Sequence, residues 1–426
     1  MDNDERLTDM MLNVKSAKKP DPGKFKNALA VAIDPPNSRI VFCLTENGDD
    51  STAAQESVPY ASHLYSPEFM AELTDAAQSY ADTHPLVRES AVTLLLPDGA
   101  IATDTVSVPN MNRRRNDEAI EAMITGLYKN EVELTINRCL AVQNKQVTAY
   151  SLAVLNNRLK NALVTALTDG GIAPHCITFA ANAAVDAVSH LHSRMRTSSY
   201  MLLDIQEEIA RIAFVAKGRT TGCYDLPFGY AMLKSGKVAS EDMLFDHSIA
   251  ELAVLNAREK AKAKQVTIAA HETASASEDG STGDSLDAMF GTDENATADP
   301  TLAVTLGPIK TLPKKQPRKL PKFMLRPDPR NDQECGYENF RIFMKWVLNL
   351  LASNEKLTMQ GTPEAVYVNI PEELAYLLEW ATNESAENGI EFRRLEIHAD
   401  HAIAVEHLDL YGARFAPRYN HNNNFI

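Results

Sequence analysis

Two aspartates stand at matching places in this sequence. Asp34 closes an apolar run over residues 28–34 and is followed by Pro35-Pro36-Asn37-Ser38 and a second apolar run, 39–45. Asp204 lies near the end of the apolar run 200–205, ahead of the polar connection Gln206-Glu207-Glu208 and a second run, 209–216. A carboxylate at a strand end either faces a cation or caps the turn that follows, and the cap is the commoner role. Other reactive groups form no recognisable constellation. The histidines, His398, His401 and His407 among them, lack the His-x-x-x-His or carboxylate pairing of a metal site. The five cysteines, Cys43, Cys139, Cys176, Cys223 and Cys335, are scattered and never form Cys-x-x-Cys, so they read as small buried hydrophobes in a reducing compartment. No Gly-x-Ser-x-Gly, Walker loop or His-Glu-x-x-His occurs. No catalytic residue and no metal site are expected.

The elements that position the two aspartates follow from periodicity. Residues 200–226 predict a three-stranded meander whose second turn is Lys217-Gly218-Arg219, and residues 27–45 predict a hairpin of the same plan, with 46–51 as a polar loop. Two halves that open alike imply a duplicated α/β domain with mixed sheets. Further strands are expected at 91–96, 101–108, 138–143, 147–155, 176–179, 365–370 and 391–397. Helices are expected at 67–82, 117–129 with Asn116 as its cap, 157–168, 182–194, 247–264, 337–351, 371–385 and 401–415. The first domain is then 26–197, with about 111–177 as an inserted subdomain, and the second is 198–416.

Composition sets the remaining limits. A chain of 426 residues exceeds the roughly 250–300 residues at which single cores stop growing, which allows two domains. A net charge of −15 argues against bulk attraction to nucleic acid. Residues 1–25 read as a disordered arm without an apolar signal core, 417–426 as a polar tail, and no apolar window reaches the roughly 20 residues of a membrane span. Residues 265–335 read as a disordered insertion, acidic over 271–300 and then basic and proline-interrupted over 310–330. The basic part is read as a solvated spacer rather than as a phosphate-binding patch.

The order of elements resembles the actin-like (ribonuclease H-like) fold: an Asp-ended hairpin, an early inserted subdomain, an Asp-ended meander and a closing strand-helix-strand-helix. Within that fold the chain is similar to the PilM family of type IV pilus assembly proteins. The likeness is carried by residues 92–97, Val106-Ser107-Val108-Pro109-Asn110-Met111, residues 147–177 with Asp169-Gly170-Gly171-Ile172-Ala173-Pro174, and residues 202–229. It covers 28–230 and, more weakly, 337–414. The resemblance implies a cytoplasmic scaffold that binds the short tail of a PilN-like bitopic membrane protein and so lies at the inner face of the membrane. A pilus assembly ATPase and platform proteins are further partners it implies. It also places Asp34 and Asp204 at the cofactor-binding positions for nucleotide and magnesium.

The departures bear on that cofactor. Nucleotide-binding members of the fold carry small residues and glycine in the phosphate turns, where backbone N–H groups approach phosphate closely. Here Pro35 and Pro36 lack those donors, and Glu207 and Glu208 stand where glycine is expected. Each close carboxylate–phosphate pair costs about 1 kcal/mol in water and about 4 at a protein-like effective dielectric. Asn369-Ile370-Pro371-Glu372-Glu373 replaces the adenine-side glycines. ATP and magnesium are therefore not expected as cofactors, and the chain reads as a non-enzyme. The alternatives are an actin-like ATPase or phosphotransferase, and an FtsA-like filament protein. The last needs a membrane-seeking end, for which only Phe425 and Ile426 are at hand.

Overall fold

The computed structural model describes residues 25–49, 52–127, 134–143, 146–241, 323–353, 365–385, 391–397, 407–418 and 424–425. Its two five-stranded sheets repeat one plan. In the first lobe β1 (Asn27–Asp34), β2 (Arg39–Thr45) and β3 (Ala54–Pro59) form an antiparallel meander. β1 also pairs in parallel with β4 (Ser90–Leu96), and β4 with β8 (Cys176–Phe179), giving the order β3-β2-β1-β4-β8. In the second lobe β9 (Tyr200–Ile205), β10 (Ala210–Ala216) and β11 (Arg219–Leu226) form the meander. β14 (Val366–Asn369) and β15 (Phe392–Arg394) continue it in parallel, in the order β11-β10-β9-β14-β15. The predicted duplication is thus present strand for strand. The sequence reading assigned no element to β3, whose six residues are all exposed and give no apolar signal; its pairing with β2 makes it a strand.

Helix α1 (Pro67–Thr83) starts where Ser66 Oγ accepts the N–H of Phe69 at 3.2 Å and Pro67 fixes the first turn. It buries Phe69, Leu73, Ala76, Ala77 and Tyr80, the face read from the sequence. Helix α3 (Asn157–Asp169) lies beside it, and α4 (Ala180–Leu191) is buried along nearly its whole length.

The inserted subdomain is a three-stranded sheet, β5 (Ala102–Pro109), β7 (Val147–Asn156) and β6 (Leu134–Gln143), covered by α2 (Arg113–Leu127). Val106, Val108, Ile120, Ile124, Leu152 and Val154 form its own core. It therefore spans 102–156 rather than 111–177: β8 pairs with β4 of the main sheet and α3 packs on α1. Periodicity identifies a strand but not the sheet it joins. Asn116 is not the cap of α2. It lies buried within the helix and accepts the N–H of Met111 at 3.0 Å, while Asn112 Oδ1 accepts that of Arg115 at 3.0 Å. Three arginines, 113–115, extend the first turn where no apolar residue marks it.

In the second lobe the short α5 (Tyr230–Leu233) leads to β12 (Lys237–Glu241), paired with β13 (Phe323–Pro327); α6 (Asp332–Ser353) and α7 (Tyr376–Ser385) follow. β13 and the start of α6 fall within the stretch expected to be disordered. A basic, proline-containing segment becomes a strand here because a distant strand supplies the pairing, with Phe323 opposite Glu241. Residues 265–322 of that stretch, the helix expected at 247–264 and the arm 1–24 lie outside the described residues.

The closing helix α8 (Leu408–Ala413) belongs to the first lobe, not the second. Leu410 and Ala413 pack with Ala30, Ala32, Val41, Ala180 and Ala183, and Gly412 sits so close to α4 that a Cβ would overlap the Ala183 carbonyl. Phe425, expected in a polar tail, is 1% exposed and pairs with Ile177.

Candidate functional site

The lobes enclose a cleft of about 1060 Å³, and the three turns compared in the sequence meet there: residues 34–37, 205–209 and 369–373 all line it. Asp34 is bonded across the turn that follows it. Its Oδ2 accepts Asn37 Nδ2 at 2.9 Å, across a turn closed by Ser38 N to Pro35 O at 3.2 Å.

Asp204 is fully buried and its oxygens are taken by the chain itself. Oδ1 accepts Asn369 Nδ2 at 2.8 Å, and Oδ2 accepts Gln206 Nε2 at 3.0 Å and Arg211 Nη1 at 3.1 Å. Burial raises its pKa against the opposing pull of Arg211, with Asp409 adding to the rise.

Arg211 is the centre of this arrangement. It lies on β10 opposite Asp204 in register, and its side chain is 5% exposed. Nε is 3.0 Å from Asp98 Oδ2 and 3.6 Å from Asp225 Oδ1; Nη1 also reaches Asp409 Oδ2 at 3.2 Å. Burial alone would weaken its hold on the proton, but the surrounding carboxylates, Asp409 first, outweigh it and push its pKa up. Four carboxylates share one cation, and three of them, Asp98, Asp204 and Asp225, resist ionisation, first because they are buried. Burial and then repulsion from Asp225 hold Asp98 well above the usual carboxylate range, opposed by Arg211 and by the Ala181 N–H that Asp98 Oδ1 accepts at 2.8 Å. Asp225 is raised as well, again chiefly by burial.

Several parts of the chain build this cluster. Asp98 comes from the single 3₁₀ turn after β4 and faces the first turn of α4; Asp409 comes from α8; Asp204, Arg211 and Asp225 come from the second meander. Sequence reasoning assigned no site role to Arg211, Asp98, Asp225 or Asp409. One signal was present: an arginine inside an otherwise apolar run, on a strand whose seven residues are all buried.

Groups that a magnesium triphosphate would need are engaged within the chain. Both Asp204 oxygens already accept hydrogen bonds, and Arg211 is paired with the neighbouring carboxylates. Pro35 and Pro36 offer no N–H, and the carbonyls of Gln206 and Glu207 accept the N–H groups of Tyr230 and Ala231 at 2.8 and 3.0 Å. Lys234, on the cleft wall, is bound to Glu373 Oε1 at 2.6 Å. Gly229 is required here, since a Cβ would overlap the Glu207 carbonyl.

Two lobes of one topology around a shared cleft, with a subdomain inserted in the first, are the plan of the actin-like fold. The arrangement is PilM-like: the structure is similar to the PilM-PilN type IV pilus biogenesis complex over 92% of this chain and 99% of that one, with a TM-score of 0.50 at 14% identity. It is also similar to the cytoplasmic domain of EpsL, an inner membrane component of the type II secretion system of Vibrio cholerae, at 14% identity over 47% of this chain and 71% of that one, TM-score 0.32. A third likeness is to the ROK hexokinase from Thermus thermophilus, at 13% identity over 91% and 98% of the two chains, TM-score 0.36. No family model and no curated protein matches the sequence.

Proposed function

We propose that this chain is a scaffold of type IV pilus or related secretion assembly that binds the cytoplasmic tail of a PilN-like bitopic membrane protein and does not hydrolyse ATP. The observation that carries the reading is the engagement of both Asp204 oxygens by Asn369, Gln206 and Arg211, side chains of the chain itself. Phosphoryl transfer depends on a metal and on positioned donors around the phosphates; a scaffold needs neither. The partner is inferred from the likeness to a PilM-PilN complex. Membrane attachment through that partner is part of the same proposal; among the described residues no helix is long and apolar enough to cross a membrane. Its tail is assigned to the groove between the inserted subdomain and the first lobe, and a pilus assembly ATPase or platform protein is a further candidate partner.

Calorimetric titration with ATP and magnesium tests the reading, with no saturable binding expected below the millimolar range. Tight binding, or turnover abolished by Asp204→Ala, would move the protein to the enzyme class. The groove is tested by removing residues 102–156: a folded product that still retains the membrane partner refutes that assignment.

A further inference from the structure

Where the inserted subdomain meets the first lobe, a distant segment of the same chain is held between them. Asn424 and Phe425 lie against the outer edge of β8, where Phe425 N donates to Ile177 O and Ile177 N to Phe425 O, both at 2.7 Å. The Phe425 side chain is buried in the first lobe's core. Asn424 is held on three sides. Its Oδ1 accepts Asn182 Nδ2 of α4 at 2.7 Å, its Nδ2 donates to Ala416 O at 3.0 Å, and its carbonyl accepts Asn137 Nδ2 of β6. Subdomain, main sheet and central helix thus converge on two residues far away in sequence.

This is how a sheet edge receives an extended peptide: main-chain pairing holds the strand, and a pocket selects a side chain. The slot also has polar capacity that the segment does not use, since Asn182 is fully buried and its Oδ1 has no partner. Resting on the scaffold reading above, we propose that Asn424–Phe425 is a tethered occupant of the partner's docking slot. An extended partner tail carrying an Asn followed by an aromatic residue binds by displacing it. Tethering gives the segment a high effective concentration, so it closes the slot when no partner is present and is replaced only by a peptide that pairs better.

The test uses the full chain, a chain ending at residue 417, and a labelled peptide of residues 418–426. The shortened chain is expected to bind the peptide saturably, the full chain at least tenfold more weakly, and Phe425→Ala in the peptide to abolish binding. A shortened chain that folds and ignores the peptide overturns the proposal. If shortening prevents folding, Phe425→Ala in the full chain serves instead: hydrogen exchange at the Ile177 amide should speed up and slow again when the peptide is added, and exchange that stays unchanged overturns it. The cytoplasmic tail of a PilN-like bitopic membrane protein is then added as competitor. Displacement of the labelled peptide supports the shared slot. Tail binding without displacement overturns this inference alone, whereas a tail that binds no version of the chain overturns the scaffold reading and this inference with it.

Discussion

Arg211 on β10 of the second lobe donates through Nε to Asp98 Oδ2 of the first, at 3.0 Å and out of contact with bulk water. The same guanidinium bonds Asp204 beside it and Asp409 of the closing helix. A side chain therefore joins the lobes at the point where other members of the fold would use a ligand.

Arg211→Met should destabilise the protein by about 3–5 kcal/mol, the usual cost of leaving buried carboxylates without their cation. Arg211→Lys should recover only part of that, because a single ammonium cannot address Asp98 and Asp204 from two edges as a guanidinium does. Denaturant midpoints of the three proteins measure the effect. A loss below about 1 kcal/mol for the methionine variant would place the pair among ordinary surface bridges.

The cluster also sets a pH dependence. Asp98, Asp204 and Asp225 have pKa values above their ordinary ones. A carboxyl raised in the folded state contributes its stabilisation fully below the unfolded pKa, near about 4, and loses it as pH rises through the folded value. Asp225→Asn removes one negative charge facing Asp98. The variant should be more stable than the parent at pH 8, with the gain fading toward pH 4. Thermal melts across that range decide it, and a difference independent of pH would show that Asp225 does not act through charge.

Gly412→Ala tests the placement of α8 on the first lobe. The added methyl meets the Ala183 carbonyl, which α4 cannot move without disturbing its buried neighbours. A loss of about 1–3 kcal/mol is expected, as for overpacking elsewhere. A melting temperature equal to the parent's would mean that the helix is free to shift.

Because Glu241 faces Phe323 across β12 and β13, the chain leaves and re-enters the second lobe at one place. Replacing residues 242–322 with a short Gly-Ser loop should keep the melting temperature within a few degrees, since closure entropy changes only logarithmically with loop length. A large drop would show that the replaced segment packs against the lobes.

The sequence by itself determined the local elements and displayed the residues of the three turns. Alternation and apolar runs marked both meanders, Ser66-Pro67 marked the start of α1, and Pro35, Pro36, Glu207 and Glu208 were visible as residues unsuited to a phosphate turn. These are properties of neighbouring residues, which periodicity, propensity and backbone donors report directly. Only the tertiary structure decided that β8 belongs to the main sheet, that α8 returns to the first lobe, that Phe425 fills a slot on β8, and that Asp98 and Asp409 meet Arg211. Each of these is a contact between residues far apart in the chain, selected by packing complementarity and by the need to give a buried charge its partners, and no local pattern encodes it.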